Sequence, residues 1–279
     1  MVLLDAMARA RPGEIAAVAT FDHGTGAAAR GACALVAREA EARALTVVSE
    51  RAATGNAARE AEWREARLEF LHRWARVMSA EIVTGHTRDD QVETVVQRLL
   101  REAGPRGLAA MHAGGVRPLL AVARARVAAY AQARHVQFVE DPSNLDLRHQ
   151  RNRVRHELLP ALERAHPGFG AWCWALSERA AEWRASTEEL VDRLGVSRPT
   201  SQTLVVPAAE LRSLSPTEWQ VLWPVLAARV RIVMDRRAVE RASAWAPRAR
   251  PGGAVQLSGG GNIERTEHTF VIRGNDLAR

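Results

Sequence analysis

With 279 residues, 47% of them apolar, the chain is long enough for a large α/β domain and a smaller partner, each with its own core. Its formal net charge is +7 and all 39 basic residues are arginine, a skew that either arginine-rich codon usage or a polyanionic partner would produce. The two cysteines, Cys33 and Cys173, lie far apart and no apolar run approaches the roughly 18 residues of a membrane span, so neither a disulfide framework, a clustered-cysteine metal centre nor a transmembrane helix is supported, and a cytoplasmic chain is expected.

The first half alternates short apolar runs with helical patterns, the signature of βαβ units around a parallel sheet. In chain order the pattern predicts a helix over Val2–Ala10, a strand over residues 15–21, a helix over 27–42, a strand over 45–49 and a helix over 56–77. A third strand over 81–84 and helices over 88–101 and 123–134 follow. A sheet of this kind ordinarily opens with a strand, and a helix at the start leads to the expectation that the native chain begins upstream. Six of the eight tryptophans, Trp172, Trp174, Trp183, Trp219, Trp223 and Trp245, fall in the last part of the chain. They divide it into a domain over residues 1–165 and a mainly helical one over 166–279. The end reads as a β-hairpin over 255–273, turning at Ser258-Gly259-Gly260-Gly261-Asn262. That glycine run looks like a phosphate loop but leads into no helix whose N-terminus would support an anion.

Ligands of an open α/β sheet bind beyond the carboxyl ends of its strands. After the third predicted strand comes Thr84-Gly85-His86-Thr87-Arg88-Asp89-Asp90-Gln91-Val92-Glu93-Thr94. Thr87 and Asp90 by themselves form a capping box, which leaves His86, Asp89 and Glu93 unexplained. On a helix Asp89 and Asp90 lie four and three residues from Glu93, so their oxygens gather at the helix start, and hard oxygen ligands suit Mg2+ carried with nucleotide phosphates. At the end of the first strand, Asp22-His23-Gly24 is either a simple turn or the edge of the same crevice. Asp141-Pro142-Ser143-Asn144 reads as a turn, and Arg151 and Arg155 beyond it share one helix face, either solvated or gripping phosphates. His72, His112 and His166 stand in no ligand-like spacing, and the tryptophans read as core.

Taken in order, Asp22-His23-Gly24, the run from Gly85 to Thr94, Arg117-Pro118-Leu119-Leu120, Asp141 to Asn144, and Arg151 to Pro160 resemble the tRNA(Ile)-lysidine synthetase family of the PP-loop ATP pyrophosphatase superfamily. The resemblance implies an α/β, parallel-sheet PP-loop ATPase domain (adenine nucleotide alpha hydrolase-like) lacking its first strand, then a smaller, mainly helical substrate- and tRNA-binding domain ending in the hairpin. It implies ATP and Mg2+ as cofactors and tRNA(Ile) and free lysine as partners, and leaves a homodimer open. In the implied reaction the C2 oxygen of the wobble cytidine is adenylated with release of pyrophosphate, and the lysine amine then attacks C2 and expels AMP. By that analogy Asp89, Asp90 and Glu93 are catalytic, with Asp89 and Asp90 on the metal. Asp22, His23 and His86 line the ATP crevice, and Asp141, Asn144, Arg151 and Arg155 hold tRNA or substrate.

Three departures accompany the resemblance. The family's Ser-Gly-Gly-x-Asp-Ser aligns just ahead of Met1, Leu68 stands where a tyrosine is usual, and Arg101-Glu102-Ala103-Gly104 replaces a more glycine-rich stretch. A chain without the phosphate loop would lose several charge-assisted bonds, on the order of 5 kcal/mol, or about a thousandfold in nucleotide affinity. Two expectations follow: a ligase whose start lies upstream, or a truncated or degenerate tRNA-binding protein without ATP chemistry. A tRNA-thiolating PP-loop enzyme is disfavoured by the lack of clustered cysteines.

Overall fold

The computed structural model describes residues 1–24, 26–52, 60–139, 142–257 and 260–274. The chain divides into two compact units, Met1–Ala181 and Glu182–Arg279. The division falls inside a helix, whereas the change in sequence texture lies at residues 165–166.

The first unit contains α1 (Val2–Ala10), β1 (Val18–Asp22), α2 (Ala27–Glu41), β2 (Val47–Arg51), α3 (Glu60–Val77), α4 (Arg88–Leu99) and α5 (Pro105–Leu108). It continues with α6 (Arg124–Ala133), α7 (Gln150–Arg153), a π-turn (Val154–Leu158), α8 (Leu159–Ala165) and the start of α9 (Phe169–Arg193). β1 and β2 pair in parallel, from Val18 opposite Val47 to Asp22 opposite Arg51, with α2 as the crossover. This is the βαβ unit the alternation predicts. The predicted third strand is reduced to one parallel bridge, Val83 with Val116, beside a Thr84 N–H bond to the Val116 carbonyl at 3.0 Å. A strand forms only where a partner backbone runs alongside, and among the described residues 81–84 meet one at a single point.

α4 is buried along two stripes. Val92, Val95 and Val96, spaced to share one face, pack with Ala110, Val154 and Cys173, and Phe169 and Trp174 close over them. Full burial of such side chains contributes roughly 1.5–3 kcal/mol each. The other stripe is polar, Asp90 and Glu93 three residues apart on the face that forms the site, while buried Gln91 bonds the turn at Ala109 and Met111. α1 is fixed by Asp5, only 3% exposed. Its carboxylate accepts from Arg9 Nε at 3.0 Å, Arg43 Nη2 at 3.1 Å and the Tyr130 hydroxyl at 2.9 Å, tying α1 to the chain after α2 and to α6. Burial works against the ionised form, but these donors outweigh it and hold the carboxyl at about 2.

The second unit contains β3 (Ser197–Thr200), β4 (Thr203–Pro207), α10 (Pro216–Ala228), α11 (Arg236–Trp245), β5 (Ala254–Gln256), β6 (Asn262–Arg265) and β7 (Thr269–Arg273). The expected closing hairpin is present as β5 turning into β6, and a further turn splits its second arm into β6 and β7. With β3 and β4 these form a five-stranded antiparallel sheet in the order β3-β4-β7-β6-β5. α10 begins with Ser215 as a cap and Pro216 at its first position, and brings Trp219 and Trp223 against Phe270 at ring distances of 5.6 Å. Those two tryptophans are core, as expected, and Trp245 packs on the same ring. Among the described residues no helix is long and apolar enough to cross a membrane.

Candidate functional site

The site is built at the start of α4. Thr87 precedes the helix, and its backbone N–H and hydroxyl both donate to Asp90 Oδ2, at 2.8 and 2.7 Å. The capping role expected of Thr87 and Asp90 is therefore present, and it uses only one of the two Asp90 oxygens. The other, Oδ1, accepts from Arg151 Nη2 at 2.7 Å and Arg124 Nη2 at 3.0 Å, with Arg155 Nη2 at 3.5 Å.

Glu93, three residues on and 1% exposed, meets the same arginines. Its Oε1 accepts from Arg155 Nε at 2.7 Å and Arg124 Nη2 at 3.1 Å, and its Oε2 from Arg151 Nε and Arg155 Nη2, both at 2.9 Å. Asp89 turns aside and accepts the Arg124 backbone N–H at 2.7 Å. Burial raises the Glu93 carboxyl, but hydrogen bonds from Arg155 and Arg151 and the nearby charges bring it below the usual carboxylate range. Asp90 is likewise lowered against the effect of burial, by Thr87 and by the charges of Arg124 and Arg151. The pairing with Glu93 raises Arg155 despite its own burial.

Sequence reasoning reads Asp90 and Glu93 as a metal site and Arg151 and Arg155 as a separate phosphate grip, whereas here the four pair with each other. Arg124 was missed; it lies outside the runs whose spacing suggested a site and reaches the acids only through the fold. Among the described residues no group of three or more histidine, cysteine, aspartate or glutamate side chains is suited to hold a metal ion. Both Glu93 oxygens and both Asp90 oxygens face cationic or N–H and O–H donors, so this donor set does not fit Mg2+.

Beside this cluster lies uncompensated positive charge. Arg67 of α3 has a buried Nε with no hydrogen-bond partner among the described residues, as does Arg117. Burial lowers the Arg67 guanidinium and the charges of Arg64 and Arg151 lower it further, while burial and Arg64 lower Arg117. His86, its Nδ1 2.9 Å from the Thr84 hydroxyl, is lowered by burial and by Arg117, Arg151 and Arg67, against an opposing pull from Asp90. Arg67, Arg117 and Arg151 therefore act on His86, just beyond residues 81–84, and Arg64 acts on Arg67 and Arg117. An open depression of about 730 Å³ runs along α3 over Arg64, Leu68, His72 and Arg76.

The other sequence candidates have partners of their own. Asp22 accepts the Gly24 N–H at 2.8 Å, the turn its sequence suggests, and lies 3.5 Å from Arg51 Nε. His23 packs on Phe21 and Trp63, at ring distances of 5.2 and 6.1 Å. The Asn144 carbonyl meets His156 Nε2 at 3.0 Å, and Asp141 lies outside the described residues.

A family model described as a PP-loop domain matches residues 1–162. The chain is 44% identical over 137 residues to the tRNA(Ile)-lysidine synthase of Geobacter sulfurreducens, covering 47% of this chain and 28% of that one. Against the tRNA(Ile)-lysidine synthase of Chromobacterium violaceum the identity is 41% over 150 residues, covering 51% and 33%. In both cases the matched stretch spans about a third of the relative or less. The tRNA(Ile)-lysidine synthase of Parasynechococcus marenigrum is 31% identical over 235 residues, covering 80% of this chain and 69% of that one. Among solved structures the chain is similar to the U34-tRNA thiolase NcsA from Methanococcus maripaludis, with a TM-score of 0.51 at 14% identity, covering 64% of this chain and 67% of that one, a likeness of fold alone. With its first 162 residues matched by the PP-loop model and most of the Parasynechococcus relative covered, the chain belongs to the tRNA(Ile)-lysidine synthase family.

Proposed function

We propose that this chain provides the substrate crevice of an ATP-dependent ligase that joins free lysine to C2 of the wobble cytidine of tRNA(Ile). The observation that carries the proposal is that Arg67, Arg117 and Arg151 act together on His86, while the buried Nε atoms of Arg67 and Arg117 have no hydrogen-bond partner among the described residues. Buried like charges are costly unless a counter-charge arrives, and a nucleotide or RNA phosphate supplies it. The position beyond the strand ends is where an open α/β sheet takes its ligand.

In this reading the C2 carbonyl oxygen of the cytidine attacks the α-phosphorus of ATP, and pyrophosphate leaves with the bond's electron pair. The lysine amine then adds at C2, loses a proton, and AMP departs carrying the original oxygen. Activation is needed because the bare carbonyl oxygen is a poor leaving group and AMP a good one. Arg67, Arg117 and Arg151 offset the phosphate charge. In this reading His86, its pKa lowered by burial, accepts the amine proton.

A second reading, an RNA-binding chain without ATP chemistry, rests on the net charge of +7, whose basic residues are all arginine. Transfer of radiolabelled lysine to a tRNA(Ile) transcript, with the protein as its own genome encodes it, separates the two. ATP-dependent incorporation that requires a cytidine at the wobble position supports the ligase. Tight RNA binding that is indifferent to ATP, with no lysine transferred, supports the second reading and overturns the first.

A further inference from the structure

The acid pair of α4 has no evident task once metal binding is set aside. Glu93 is among the most buried side chains of the chain, and a buried carboxylate is retained at a cost unless its charge is matched. Here it is over-matched, since three guanidinium groups from two different segments, Arg124 on one side and Arg151 and Arg155 on the other, converge on two carboxylates. Arg155 lies in the π-turn and donates to Glu93 through both Nε and Nη2, and Arg151, in the short α7 just before it, donates to Glu93 through Nε and to Asp90 through Nη2. A π-turn of this kind alters the spacing of successive side chains around a helix and is found preferentially at functional sites.

The pairing does not exhaust the arginines. Their side chains keep 38%, 36% and 22% exposure for Arg124, Arg151 and Arg155, while Glu93 keeps 2%. The carboxylates lie beneath and the guanidinium edges face outward, and Arg151 is also one of the charges felt by Arg67 and His86. We infer that Asp90 and Glu93 are positioning residues: a buried anionic post that orients Arg124, Arg151 and Arg155 as one anion-binding surface, rather than ligands of a metal ion. The inference rests on reading the crevice as a phosphate site. It adds that the acids, though negative, strengthen anion binding.

This sign separates the inference from simple electrostatics. Replacing Glu93 by glutamine removes a negative charge near the crevice, and a field argument alone predicts tighter binding of an anion. A positioning role predicts the reverse, because freed arginines lose their fixed forks.

The test is a titration of the intact protein with inorganic tripolyphosphate, followed by calorimetry at fixed salt. Glu93→Gln weakens binding about tenfold, roughly the worth of one well-placed charge-assisted contact. Arg155→Lys, which keeps the charge but not the fork, weakens it comparably, and the double variant is no worse than the weaker single one. Should Glu93→Gln fail to fold, Arg155→Lys decides alone, and unchanged binding in that variant overturns the inference. In parallel, Mn2+ titrated as a probe for Mg2+ behaves identically with wild type and with Asp90→Asn. Loss of a Mn2+ site with that carboxylate, or unchanged or tighter tripolyphosphate binding in Glu93→Gln, overturns the inference while leaving the phosphate crevice standing. Absence of tripolyphosphate binding to the wild type removes the crevice reading and this inference together.

Discussion

Gln91 lies between the two acids of the site and has no exposed surface. Its Nε2 donates to the Ala109 carbonyl at 3.0 Å and its Oε1 accepts the Met111 N–H at 2.8 Å, so one side chain holds both ends of a turn. Between them Ala110 is in the left-handed region at φ 49, a conformation that costs a non-glycine residue on the order of 1 kcal/mol and persists only where neighbours enforce it. Gln91→Leu keeps the approximate volume and leaves the two backbone groups without partners. At about 1–3 kcal/mol for each orphaned group, the loss is about 2–6 kcal/mol before the leucine's own burial offsets part of it. With a urea slope near 2 kcal/mol per molar, the midpoint falls by about 1–2 M. Hydrogen exchange on peptides of the first unit follows that unit separately, and the Met111 amide loses protection first. Because the Met111 carbonyl accepts Arg117 Nη1 at 2.7 Å, the substitution also loosens Arg117 in the crevice. A stability change below about 0.5 kcal/mol, with Met111 still protected, would refute the claim that this amide organises the turn.

Other consequences are as direct. Asp5 is held at about 2, below its unfolded value, so its contribution is in place above about pH 4 and is lost as pH falls through the folded value. Asp5→Asn therefore flattens the acid limb of a stability-against-pH curve between about pH 4 and pH 2, and an unaltered limb contradicts the network with Arg9, Arg43 and Tyr130. Ser215 accepts the Glu218 N–H at 3.3 Å while Glu218 reaches back to the Ser215 N–H at 2.7 Å. Ser215→Ala costs the second unit about 1 kcal/mol in chemical denaturation, and no loss at all would contradict the cap. At Gly261 an added Cβ would lie 2.4 Å from Ile232 Cδ1 and 2.9 Å from the Arg273 carbonyl oxygen. Gly261→Ala lowers the stability of the second unit by about 1–3 kcal/mol, and a neutral result means the turn shifts freely.

The helices were legible because their apolar positions recur at helical spacing, and α4 most of all, with Val92, Val95 and Val96 on one face and Asp90 and Glu93 on another. Spacing also put Arg151 and Arg155 side by side. It could not show that the two sets meet, because Arg155 is 62 residues from Glu93 and only the packing of Val154 beside Val92 and Val96 brings them together. Arg124 and Arg117 were invisible as site residues for the same reason. The strand expected at residues 81–84 carries the right residue types, yet a strand needs a neighbour and periodicity says nothing of neighbours. β3, Ser-Arg-Pro-Thr, is exposed throughout and contains a proline, so it has neither alternation nor propensity to announce it.

The central claim is that the arginines around His86 receive phosphate, from a nucleotide or from RNA. Equilibrium binding of a tRNA(Ile) transcript, measured across a salt series for wild type, Arg67→Ala and Arg117→Ala, addresses it directly. If these guanidinium groups neutralise phosphates, each substitution weakens binding and lowers the slope of log K against log salt by about 0.7–0.9. Slopes identical to wild type in both variants, with ATP affinity also unchanged, would contradict the claim.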